Sequence, residues 1–322
     1  MMNGELFDLD TFFQTTKDDL EKKIATTISD KKIVALLKGG KRLRPMLAHL
    51  SFKVCTKGKE NQSEYQNALE GAVSIELAHS ASLVHDDIID GDMERRGEPA
   101  FHVGAGVDDA ILTGHKMLAF GFNIAMKHGE KIAKLYVDTW NDILNGEIDE
   151  VDFNKKDIKN SEEIFTKFKI FDIYNKIIEL KTAALFSSAC KAGAIEANMS
   201  GDILKVFADY GREIGLAYQL ADDLVDLAKG KNLDSMIIPL LIRLDDDTID
   251  DNFFKEKRIR KYFNKNSSKI KELFIEEIKR HVKNAEELSR SEIIPQSPYK
   301  DLLKEAPAYI INKMLKEIGM KI

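Results

Sequence analysis

His79–Gly97 reads HSASLVHDDIIDGDMERRG. A segment of small and apolar residues runs into Asp86, Asp87 and Asp90, and the arginine pair Arg95 and Arg96 follows. Side chains three and four residues apart share one face of a helix, so these carboxylates can meet. YQLADDLVD, at 218–226, repeats the spacing with Asp222, Asp223 and Asp226. Uncompensated carboxylates packed this closely repel one another. Hard divalent cations relieve that repulsion and can bridge to a phosphorylated ligand. Oxygen-only ligands favour magnesium or manganese over a structural zinc site. One cluster alone reads as a solvated acidic helix end. Two clusters of equal spacing, each after an apolar helical segment, weigh against that.

GGKRLRP, at 39–45, adds Lys41, Arg42 and Arg44 behind two glycines. It reads either as a solvated basic loop or as an anion-binding loop. Arginine brings a planar donor fork and lysine a compact charge. The acids need cations to hold phosphate, whereas this loop can hold it directly. That difference suggests two unlike phosphate subsites.

The remaining features narrow the class. The chain has 322 residues, 43% of them hydrophobic and 32% charged, with a formal net charge of −6. This suits a globular protein with a sizeable core and makes nucleic acid a poor default partner. Two cysteines, Cys55 and Cys190, make neither a disulfide scaffold nor a metal cluster. MMNGELFDLD lacks the basic start and apolar run of a signal peptide, and no stretch is apolar enough to predict a spanning helix. A cytoplasmic location is expected. Periodicity predicts helices over 9–36 (one or two), 45–55, 66–90, 107–127, 130–146, 202–228, 270–290 and 300–318, the last kinked at Pro307 or starting later. Residues 91–106 read as loop, and Ser161 suggests a helix cap. An all-helical single domain over 1–322 is expected, with its catalytic core at about 38–240.

Taken in order, GGKRLRP, the His79–Gly97 stretch, GE at 146–147, KT at 181–182 and YQLADDLVD resemble the trans-isoprenyl diphosphate synthases. The resemblance implies a helical bundle around a deep central cavity, usually a homodimer. It also implies condensation of isopentenyl diphosphate with dimethylallyl, geranyl or farnesyl diphosphate. By position, Asp86, Asp87, Asp90, Asp222, Asp223 and Asp226 would hold about three magnesium ions, or manganese, on the allylic diphosphate. Arg95 and Lys181 would contact that diphosphate. Gly40, Lys41, Arg44, His79 and Arg96 match the isopentenyl diphosphate site. Thr182 and Gln219 match the reacting end of the allylic substrate. Ala81, five positions before the first aspartate, matches a position that limits product length. Its small side chain favours a product beyond fifteen carbons, geranylgeranyl diphosphate first, with farnesyl or longer products as alternatives.

DLAKGKNLDSMIIPLL, after the second cluster, departs from the family's usual longer loop, and the register of Lys229 and Lys231 is open. The departure motivates a second reading, a non-catalytic subunit within a heteromeric synthase. A class I terpene cyclase is the chemical rival. The all-aspartate second cluster and the basic site for a second diphosphate argue against it.

Overall fold

The computed structural model describes residues 8–155, 174–229 and 256–322. Local caps set the first helices. Asp8 accepts from the Thr11 backbone at 2.7 Å and opens α1 (Leu9–Thr27), and Asp30 opens α2 (Lys31–Leu37) in the same way. α3 (Leu43–Thr56) carries Pro45 in its first turn, where a missing N–H removes no helical bond. α4 (Gln62–Ile89) opens on a capping box of Asn61 and Glu64. It buries residues on most sides, so it runs through the interior and delivers the first acidic cluster at its C-terminal end.

Residues 91–106, expected as loop, contain more structure. β1 (Glu94–Arg95) pairs antiparallel with β2 (Glu98–Pro99), and a short α5 (Phe101–Ala105) follows. Arg96 and Gly97 both take left-handed backbone, φ 57° and 82°, which is what a two-residue hairpin turn requires. α6 (Val107–Lys127) has the expected limits. α7 (Glu130–Lys155) continues well past the expected end at 146.

Glu179–Ala183 form a single π-helical turn that leads into α8 (Ala184–Glu196). α9 (Asp202–Lys229), α10 (Glu256–Ser289) and α11 (Lys300–Leu315) complete the bundle, with a closing 3-10 turn at Lys316–Ile318. Pro307 lies buried inside α11, which runs on through it. The Ser161 cap and Lys231 lie outside the described residues.

The main core joins α3, α8, α9, α10 and α11. Phe52, Phe186, Phe207, Tyr210 and Phe274 are all buried there, and the Tyr210 hydroxyl donates to the Leu303 carbonyl at 2.6 Å. Cys55 and Cys190 are free and buried in the same core. A second cluster, with Ile24, Leu37, Leu77, Ala81, Met117 and Ile124, locks α4 onto α1, α2 and α6. No helix among the described residues is long and apolar enough to cross a membrane.

Candidate active site

The π-helical turn is linked to both acidic clusters, through the charge of Lys181 to Asp86 and through Gln219 to Asp223. Gly146 on α7 makes this possible: a Cβ there would lie 2.8 Å from the Leu180 Cβ and 2.9 Å from the Lys181 nitrogen. With the backbones this close, Glu147 meets Lys181 at 2.6 Å, and Glu150, one helical turn further on, also pairs with it. These acids and Asp86 hold the Lys181 ammonium well above the usual lysine range, against the opposing effect of burial. Thr182, the next residue, donates to the Gln219 side chain on α9 at 2.7 Å. Gln219 then donates to Asp223 at 2.9 Å, and the Tyr174 hydroxyl donates to the other Asp223 oxygen at 2.6 Å.

Burial dominates the electrostatics of the acids. It pushes Asp86 up to about 7, a shift that Lys181 opposes and Glu147 and Asp90 reinforce. Asp223 also reaches about 7 through burial, against the hydrogen bonds from Tyr174 and Gln219. Burial and then Asp226 raise Asp222 to about 6, while Lys41 pulls it down. Asp90, which caps the C-terminus of α4, is raised mainly by burial too. Asp87 is buried and accepts from Arg95 Nε at 2.5 Å, and Arg95 also reaches Asp92 at 3.5 Å. Among the described residues, no three His, Cys, Asp or Glu side chains are drawn together as a ready-made cation site.

The basic loop divides into two functions. Arg42 is 2% exposed, with left-handed backbone, and pairs with Glu76 at 2.6 Å and Glu21 at 2.8 Å. It braces the loop from within and is not part of the anion-binding face that GGKRLRP suggested. Gly40 makes room for it, since a Cβ there would lie 2.4 Å from Arg42 Nη1. Arg44 differs. It is buried, stacked 4.3 Å over the Phe186 ring, and 3.0 Å from His79 Nε2. Among the described residues it makes no ion pair, and its Nε has no hydrogen-bond partner. Burial, then Arg44, Arg96 and Arg95, push His79 well below the usual histidine range, so the ring is neutral. Lys41 and Arg96 stay exposed on the surface of this basic region.

An apolar cavity, partly open to solvent, lies between α3, α4, α7 and α8. Ile75 and Ala78 from α4, Trp140 and Ile143 from α7, and Leu185 from α8 line its walls. Ala81 is not among its lining residues; it is fully buried in the second cluster, toward Met117.

Residues 26–234 match the Polyprenyl synthetase family. The chain belongs to the polyprenyl synthetase family. It is 35% identical over 220 residues to a short chain isoprenyl diphosphate synthase of Methanothermobacter thermautotrophicus, covering 64% of this chain and 63% of that protein. A geranylgeranyl diphosphate synthase of Methanosarcina mazei is 33% identical over 196 residues, 59% of this chain and 55% of that one. The chain thus aligns with somewhat under two thirds of the length of these two relatives. A geranylfarnesyl diphosphate synthase of the same organism is 28% identical over 87% of this chain and 84% of that protein. Among solved structures, a geranylgeranyl pyrophosphate synthetase of Pyrococcus horikoshii superposes with a TM-score of 0.74 at 25% identity, covering 94% of this chain and 98% of that one. A polyprenyl synthase of Caulobacter crescentus, solved with calcium and isoprenyl diphosphate, gives 0.73 at 22% identity over 95% and 98%. The all-helical bundle is the fold of these synthases.

Within this chain, the structure links Lys181 and its neighbour Thr182 to Gln219 and Asp223, and joins Arg44 to His79. Lys229 pairs with Glu317 at 2.5 Å, within electrostatic reach of Asp226 and Asp222. Sequence reasoning missed Glu150 and Tyr174. Their signal was spacing: Glu150 lies one helical turn after Glu147, and Tyr174 seven residues before Lys181.

Proposed function

We propose that the chain condenses isopentenyl diphosphate head-to-tail with an allylic prenyl diphosphate, with geranylgeranyl diphosphate as its main product. One observation carries the reading. A buried arginine that makes no ion pair among the described residues, Arg44, lies within electrostatic reach of Asp222, one of a set of aspartates that burial holds well above the usual carboxylate range. Arg44 suits a diphosphate held directly. Asp86, Asp222 and Asp223 suit one held through cations, because bound cations would offset the burial that chiefly raises their pKa values and the smaller repulsion from neighbouring carboxylates.

The donor set fits magnesium or manganese. It is oxygen-only, and the scattered carboxylates leave coordination positions for diphosphate oxygens. Asp86, Asp87, Asp90, Asp222, Asp223 and Asp226 would hold these ions, about three with substrate bound. Magnesium, when bound, supplies positive charge against the diphosphate. Arg95 and Lys181 add cationic donors at that group. Arg44, Lys41 and Arg96, with neutral His79, hold isopentenyl diphosphate, and Gly40 keeps the loop close. The C–O bond of the allylic diphosphate breaks, and its electron pair leaves with the phosphate. The isopentenyl alkene supplies the pair for the new C–C bond, and a proton passes from the adjacent carbon to a diphosphate oxygen. Thr182 and Gln219 line this region, while the apolar walls keep water from capturing the cation.

Gly71, on the cavity wall, lies fifteen residues before Asp86, about 22 Å down α4. An isoprene unit advances roughly 4–5 Å over four bonds of about 1.5 Å. The cavity therefore takes about four to five units by this geometry. The wall bears on length through its lining residues, and Ala81 bears on it by supporting α4 from behind. A homodimer formed through α6 and α7 is part of the proposal. Val107, Ile111 and Leu112 on α6 and Val137, Leu144 and Ile148 on α7 are exposed apolar side chains. A cytoplasmic site of action fits substrates that are soluble diphosphates.

The test is incubation of the purified chain with isopentenyl diphosphate, magnesium and each allylic diphosphate, followed by chain-length analysis of extracted lipids. Turnover without a partner protein excludes a purely regulatory subunit. Cyclised hydrocarbon in place of longer diphosphates would instead mark a cyclase. No elongation under any combination defeats the proposal.

A further inference from the structure

We infer that the His128–Glu196 ion pair is the floor of the cavity and sets the length at which chain growth stops. The inference rests on the elongation reading above and specifies where its hydrocarbon product ends. His128 caps the C-terminal end of α6, and Glu196 is the last residue of α8. Their side chains meet across the bundle, His128 Nδ1 lying 2.8 Å from Glu196 Oε1, with side-chain exposures of only 8% and 14%. Glu196 itself lines the cavity. Gly71 stands directly over the pair: a Cβ there would lie 2.8 Å from Glu196 Oε1 and 3.5 Å from His128 Nδ1.

The acidic clusters occupy the C-terminal ends of α4 and α9. The pair lies away from them, against Gly71 in the N-terminal half of α4 and at the C-terminal ends of α6 and α8. A tail anchored by its diphosphate among the aspartates therefore grows toward it. Along the way the tail meets Ala78, Ile75, Ile143 and Leu185, which reward contact with hydrocarbon. At Gly71 the surface changes to a carboxylate and an imidazole. Glu196 raises the His128 pKa above the usual histidine value, against the effect of burial. Glu70 adds to that effect, and Lys127, 3.9 Å from Glu70, opposes it. A further isoprene unit gains little against a carboxylate and an imidazole, and passing them requires separating a largely buried polar pair. Gly71 lets α4 close down onto the pair; a side chain there would collide with Glu196 Oε1 and displace it within the end of the cavity.

The experiment compares products from farnesyl diphosphate, isopentenyl diphosphate and magnesium for wild type, the double variant His128→Ala/Glu196→Ala, and Gly71→Val. Removing both partners avoids leaving a lone buried charge. The double variant is expected to shift the main product to chains one or two isoprene units longer. Gly71→Val is expected to shift it one unit shorter. Should the double variant fail to fold by circular dichroism, the Gly71→Val distribution decides alone. Normal elongation with unmoved lengths in the folded variants overturns the floor while leaving the elongation reading intact. Absence of elongation by wild type overturns that reading and the floor with it.

Discussion

Replacing Asp86 by Asn should remove activity and stabilise the metal-free protein in a pH-dependent way. Burial raises Asp86 from 3.8 to about 7. A shift of about three units corresponds to roughly 4 kcal/mol between charged and neutral forms. Asp86 keeps part of its surface open to solvent, so about half of that, about 2 kcal/mol, is the expected effect. The sign follows from the raised value. A group whose pKa is higher in the fold than in the unfolded chain contributes stability below its unfolded pKa, and the contribution disappears as pH rises through about 7. At about pH 8 the wild type holds a buried charge that Asn lacks. Urea unfolding in EDTA should therefore show Asp86→Asn more stable by about 2 kcal/mol at about pH 8, with the gap narrowing markedly by about pH 5.5. Magnesium should stabilise wild type more than the variant. Equal stabilities at both pH values, or a variant less stable at the higher one, would refute the claim that this carboxylate is held at a cost for want of a cation.

Four further outcomes separate structural from chemical residues. Arg42→Ala leaves Glu76 buried without its partner and should cost about 3–5 kcal/mol in urea melts. Arg44→Ala removes a buried cation that has no acidic partner, so melting should change little while KM for isopentenyl diphosphate rises at least about tenfold, the scale of one lost charge-assisted contact. Tyr174→Phe deletes the donor to Asp223; kcat should fall several-fold and the magnesium requirement rise, with about 1 kcal/mol lost in stability. Ala81→Phe forces a ring into a filled cluster and should cost about 1–3 kcal/mol, and pressing α4 toward the cavity should shorten the product in the same lipid analysis.

Much of the bundle was readable before any coordinates. The helical periods of α4, α6 and α9 gave their limits closely, because each is long and buries apolar residues along its length. The hairpin at Glu94–Pro99 escaped notice because two-residue strands carry no alternation; only Arg96–Gly97, with left-handed backbone, marks it. The acidic clusters and Lys181 stood out as motifs, since their spacing is local. The division of labour between Arg42 and Arg44 did not. Both sit in KRLR, and only Glu21 and Glu76, brought in by other helices, decide which one turns inward. The floor of the cavity was equally hidden. His128 and Glu196 are far apart in sequence, and each alone reads as an ordinary polar residue at a helix end.

The alternation in the basic loop bears on how damage to this protein would show itself. Arg42 and Arg44 are two positions apart, but one is committed by ion pairs to the scaffold and the other, joined only to His79 and the Phe186 ring, makes no ion pair. In a randomised library, changes at 42 would vanish at the level of soluble yield, before any substrate is added. Changes at 44 would pass that sort and fail only when turnover is assayed. Sorting the same library twice, once for yield and once for product, would resolve neighbouring codons into two populations and mark where folding ends and recognition begins.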